Sequence, residues 1–160
     1  MKEWHDLFVA TCGSAAALTG LIFVGVSINL TRILSIPKLP ERALLSLVLL
    51  LSILIRSIIF LIPAQSLWLT GAEALATGMI TWFFVIRIDT LIYKNRENRY
   101  KNLYLAHIFF NQLAVLPFII SGLLLLNGVE KGIYWDAVGI IFCFIKAIWD
   151  AWVLLVEINR

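Results

Sequence analysis

Five long apolar segments separated by short polar turns leave this chain one plausible way to fold, across a lipid bilayer. They cover residues 7–30, 42–62, 66–88, 103–126 and 136–158. Each approaches the ~20 residues that a helix needs to cross a hydrocarbon core. Backbone polar groups find no water in lipid, so such segments must satisfy their own hydrogen bonds as helices. The expected fold is all-α: a polytopic membrane helix bundle of five transmembrane helices, one domain over residues 1–160. The spans consume most of the chain, so any function is exercised within the membrane. The first could pass for a secretory signal, but its apolar run reaches Leu30, beyond the roughly 7–15 residues of a signal core. It reads as a retained helix.

Charge fixes an expected orientation. The net charge of +3 comes from short loops rather than a basic face, so no nucleic-acid partner is implied. Lys94, Arg96, Arg99 and Lys101 crowd the loop between the third and fourth spans, and Arg32, Lys38 and Arg42 flank the first loop. The turn Pro63-Ala64-Gln65-Ser66 carries no charge, and the last loop sets Lys131 beside Glu130. Positive loops stay in the cytoplasm, which places the amino terminus outside and the carboxyl terminus in the cytoplasm. The same four loop cations suit anionic lipid headgroups, each worth about 1 kcal/mol near the surface.

Ionisable residues inside the spans narrow the possibilities. A charge at the bilayer centre costs at least about 2.5 kcal/mol and so faces protein or water. Asp136, Gly139, Cys143, Lys146, Asp150, Val153 and Glu157 recur at three- and four-residue spacing, hence on one face of the fifth span. Lys146 and Asp150, four apart, can also neutralise each other within that helix. Arg56 and Glu73 stand at equal distances from the Pro63–Ser66 turn, and an intramembrane ion pair between them is expected. In the fourth span His107 and Asn111 share a face, Pro117 should kink the helix, and Asn111 lies at the depth of Asp150. A hydrogen bond from Asn111 to Asp150, direct or through Lys146, follows. The small residues Gly13, Ala17 and Gly20 suit close helix packing, which would make the first span central. The second, mostly Leu and Ile, would face lipid.

Catalytic and cofactor chemistry finds no support. His5 and His107 fall near opposite membrane faces, too far apart for one haem. No metal-ligand spacing or H-E-x-x-H occurs, no serine has a histidine at its depth, and Cys12 and Cys143 read as small apolar residues. The chain is read as a non-enzyme without a cofactor or metal.

The segments Trp4-His5-Asp6-Leu7-Phe8, Ala15-Ala16-Ala17-Leu18-Thr19-Gly20-Leu21-Ile22-Phe23-Val24 and Ser27-Ile28-Asn29-Leu30 carry a resemblance. The chain resembles a family of small, uncharacterised bacterial multi-pass membrane proteins, most clearly over its first 32 residues. The resemblance implies a bacterial inner (cytoplasmic) membrane location and carries no site residue over.

The expectation for function is an ion channel or proton pathway, in a small and homo-oligomeric transport protein. Asp150 and Lys146 would line the path, Glu157 its cytoplasmic mouth, and Asn111 would support them. The alternative is a non-conducting accessory subunit whose charged face docks onto a larger membrane-protein partner; a membrane-perturbing effector is a third reading.

Overall fold

Chain punctuation sets the helix ends. The computed structural model describes the backbone of residues 2–94 and 101–158, with side chains over 3–94 and 105–157. Helix α1 (His5–Ile28) ends at Asn29, whose side-chain Nδ2 donates to the Gly25 carbonyl at 3.0 Å. A short α2 (Leu30–Ser35) follows and leads into α3 (Leu39–Leu61). Lys38 takes a left-handed φ of 72° at this joint, and Pro40 fits the first turn of α3, where no N–H is required. Pro63 and Ala64, the latter at φ 59°, turn the chain into α4 (Leu67–Lys94). Helix α5 (Lys101–Leu126) closes at Gly128, at φ 77°. There the Val129 N–H bonds the Leu124 carbonyl (2.9 Å) and the Gly128 N–H bonds the Leu125 carbonyl (3.0 Å). That pair of bonds needs a left-handed residue, which glycine supplies without strain. Helix α6 (Gly132–Ile158) completes the chain.

The protein is all-helical, with no strand among the described residues, and five helices are long and apolar enough to cross a membrane. Their outer surface is apolar: Leu21, Ile28, Phe109, Trp149 and Trp152 are all exposed. In a soluble monomer contiguous apolar surface on this scale is rare, whereas lipid accepts it.

Helix α3 is the hub, packed on α1, α4 and α6, while α5 bridges α4 and α6. This alters two expectations. The Leu- and Ile-rich second span is fully buried on one face, at Leu45, Leu49, Leu50 and Ile53, and keeps an exposed face at Leu44, Leu51, Ile55 and Ile58. The first span is not central, because among the long helices α1 packs mainly on α3. Its inward residues are Phe8, Thr11 and Ala15, with Phe8 stacked on Phe60 and the Thr11 hydroxyl 2.9 Å from that of Ser57. Gly13, Ala17 and Gly20 lie on the opposite, exposed face, and a Cβ at Gly13 or Gly20 would meet nothing within 4 Å. The small residues that weld helices together are elsewhere. A Cβ on Gly71 would lie 2.5 Å from the Leu126 nitrogen, and one on Gly122 2.6 Å from the Leu75 Cα. Backbones of α4 and α5 therefore touch, as small residues permit in lipid.

Candidate functional site

The polar stripe of α6 turns inward. Asp136, Gly139, Cys143, Lys146 and Asp150 are buried, while Ile141, Ile145, Ile148, Trp149 and Trp152 form the outer face. Burial alternates in this way because the polar residues follow the helical period and the spaces between them are filled with large apolar side chains. All these charges are therefore met by the chain's own helices. They divide into two layers.

The first layer lies beside the α3–α4 turn. Arg56 of α3 is fully buried and ion-paired with Asp136 of α6 through Nη2, with a second bond from Nε at 2.8 Å. Its other nitrogen, Nη1, donates to the Ala74 carbonyl (2.6 Å) and the Thr77 hydroxyl (3.1 Å) of α4. The Phe118 carbonyl accepts from Nη2 at 3.4 Å, and the Phe118 ring lies 4.2 Å beneath the guanidinium carbon. One side chain thus ties four helices together. The expected Arg56–Glu73 pair is not formed. Matching depth was a correct reading, but depth does not fix azimuth: Ala74 and Thr77 face Arg56, while the half-buried Glu73 accepts from Gln65 at 2.5 Å.

An apolar plug separates the layers. From Asp136 to Lys146 is about 15 Å of helix rise. Ala114, Val115, Phe118 and Cys143, all buried, fill that interval. The Phe118 ring sits on Gly139, where a Cβ would come within 2.5 Å of it. Glycine is required there by close approach alone. The Cys143 thiol donates to the Ala114 carbonyl at 3.5 Å, so it behaves as a packed small residue.

The second layer joins α4, α5 and α6 near the other end of the bundle. Lys146 and Asp150 are bonded to each other within α6. The His107 ring of α5 stands against both, with Nε2 at 3.1 Å from the Lys146 ammonium and 3.3 Å from Asp150 Oδ1. Its Nδ1 lies 3.2 Å from Asn111 Nδ2 and 4.0 Å from Asp89 Oδ1. Asn111 Nδ2 donates to Asp89 Oδ1 at 2.6 Å, and Gln112 Nε2 reaches Asp89 Oδ2 at 3.4 Å. Trp82 Nε1 then holds the Gln112 carbonyl oxygen at 2.8 Å. On α3, Arg42 is near enough to act electrostatically on Lys146. Asp89 and Asp150 thus stand on opposite sides of the imidazole, with the Lys146 ammonium beside Nε2. Every group in the chain of contacts except the amides and the indole can gain or lose a proton.

The sequence-expected residues are distributed unevenly over this geometry. Lys146, Asp150 and Asn111 meet in the second layer, but Asn111 bonds Asp89 and His107 rather than Asp150. Glu157, half-buried in the last turn of α6, is joined to the cluster by no contact among the described residues. Lys94 is exposed at the end of α4; Arg96 and Arg99 lie outside the described residues, as does the side chain of Lys101. Sequence reasoning passed over Asp89. Its signal was available: Gly78, Thr81, Val85, Asp89 and Ile92 recur at helical spacing and form the buried face of α4. His107 shares a face with Asn111, four residues on, and that placement brings its ring to the cluster.

The chain matches no family model, no curated protein and no solved structure.

Proposed function

We propose that this is a proton pathway: a small membrane protein in which the His107 cluster takes up and passes protons. The carrying observation is the imidazole held within 3.3 Å of Asp150 and 3.1 Å of Lys146, on a neighbouring helix inside the bundle. Ionisable groups kept inside a membrane bundle mark proton relays and ion paths. Proton transfer needs only donors and acceptors within hydrogen-bond reach. Passage of a hydrated ion needs a wet bore or a row of polar ligands. The stripe of α6 supplies neither past Gly139, where Phe118 closes the interval. Protons are therefore the favoured cargo, and movement of the Phe118 ring is the step that gates passage between the layers. A docking face for an accessory subunit would need these charges on the outside, and they are buried.

The orientation that accompanies this reading has the amino terminus outside and the carboxyl terminus in the cytoplasm of a bacterial inner membrane. The His107 layer then lies in the cytoplasmic half and the Arg56 layer in the outer half. A homo-oligomer formed through the exposed face of α1 accounts for Gly13, Ala17 and Gly20, whose backbone invites a second helix. The test is flux into liposomes that hold purified protein and an internal pH dye. A pH gradient should collapse with wild type and persist with Asp150→Asn, while potassium and chloride gradients persist with both. A correctly inserted wild type that leaves the pH gradient intact would overturn the reading.

A further inference from the structure

The hydrogen bonds around His107 are not independent of one another. An amide NH2 group only donates. With Asn111 Nδ2 turned toward the ring at 3.2 Å, Nδ1 must accept and the ring proton must sit on Nε2, beside Asp150. The same Nδ2 donates to Asp89 Oδ1 at 2.6 Å, so an ionised Asp89 holds the amide in this orientation. Asn111 Oδ1 is meanwhile buried without a hydrogen-bond partner, as is Asp150 Oδ1, which stands 3.3 Å from Nε2. Turning the amide over would offer that oxygen to Nδ1, making Nδ1 the donor and freeing Nε2 to accept from the Lys146 ammonium at 3.1 Å. It would also set two oxygens together at Asp89 unless Asp89 carries a proton. Two arrangements satisfy both Asp89 and Nδ1: ionised Asp89 with the ring proton on Nε2, where the Lys146 ammonium 3.1 Å away makes no bond to that nitrogen, and protonated Asp89 with the ring proton on Nδ1, where it does.

We propose that Asp89, acting through the Asn111 carboxamide, selects which nitrogen of His107 carries the proton, so that α4 controls whether the ring gives a proton to α6 or accepts from it. The proposal rests on the proton reading above and makes Asp89 and Asn111 positioning residues of that site. In the forward change one proton from solution forms an O–H bond on Asp89. Another forms the Nδ1–H bond of His107, whose side chain is 13% exposed. The Nε2–H bond breaks, and its proton forms an O–H bond on Asp150. The ring is neutral before and after, and nothing is oxidised or reduced. The charged groups that face it are Asp89 on α4, and Lys146 and Asp150 on α6, with Arg42 on α3 acting on Lys146.

The experiment is nitrogen-15 solid-state NMR of histidine-labelled full-length protein in liposomes. The chain has two histidines, so His5→Gln leaves the His107 ring alone. At neutral pH that background should show the Nε2–H tautomer. Asp89→Asn, a neutral group able to donate to Asn111 Oδ1, should convert at least half of the ring population to Nδ1–H. Asn111→Leu should give a mixture that no longer responds to Asp89→Asn. A ring that stays wholly Nε2–H in Asp89→Asn overturns the proposal. If Asp89→Asn does not insert, Asn111→Leu alone decides, since retention of one Nε2–H tautomer there also overturns it. Proton flux is measured on the same liposomes. Absent wild-type flux with a responding tautomer removes the transport reading and leaves the coupling, whereas normal flux with an unresponsive tautomer does the reverse.

Discussion

Removing the Asp136 carboxylate should be the most damaging single polar substitution in the bundle. Arg56 is fully exposed to its consequences, because its guanidinium has no route to water at 0% side-chain accessibility. Deleting one partner of a buried pair costs about 3–5 kcal/mol, since the other charge stays buried. Three neutral acceptors remain to Arg56, at Ala74, Thr77 and Phe118, and the Phe118 face adds a cation–π contact. These place Asp136→Ala near the lower bound, about 3 kcal/mol, roughly a hundredfold in the unfolded population at 1.4 kcal/mol per tenfold. Glu73→Gln should cost under about 1 kcal/mol, because its half-buried carboxylate has no charge partner among the described residues. Arg56→Met combined with Asp136→Leu should recover most of the loss, as apolar replacements of buried pairs often do. Unfolding in mixed micelles, followed by tryptophan fluorescence, measures all four proteins. A cost below about 1 kcal/mol for Asp136→Ala, or an equal cost for Glu73→Gln, would refute the assignment of the pair.

Glycine substitutions should divide by helix face. Gly71→Ala and Gly122→Ala drive a methyl into the facing backbone and should destabilise by about 1–3 kcal/mol in the same unfolding assay. Gly13→Leu and Gly20→Leu, on the open face of α1, should leave monomer stability within about 1 kcal/mol and reduce energy transfer between labelled copies in liposomes. Ser57→Ala removes the hydroxyl contact that joins α1 to α3, and should cost about 0.6 kcal/mol, the usual size of an interhelical hydrogen bond in lipid.

The five-helix architecture was legible because it follows from segment length and apolarity: all five expected spans coincide with helices long and apolar enough to cross a membrane, their ends agreeing to within six residues. The inward direction of α6 was legible as well, since period alone puts Asp136, Lys146 and Asp150 on one face. Partner choice was not. Arg56 has carboxylates at Glu73 and Asp136 near its depth, and only the rotation of α4 against α3 decides between them. Helix order failed for a related reason. Small residues mark a face able to pack closely, but they do not say against which helix, and in α1 that face is left open. The role of His107 needed the third dimension too, because its ring completes a cluster drawn from three helices whose members lie far apart in sequence.

The central claim is that protons use the imidazole of His107. Proton flux of His107→Gln should be compared with wild type and with His5→Gln, at equal amounts of inserted protein. The account predicts at least a tenfold loss for His107→Gln, within the contribution of a positioned acid–base group, and full flux for His5→Gln. Undiminished flux through His107→Gln would contradict it.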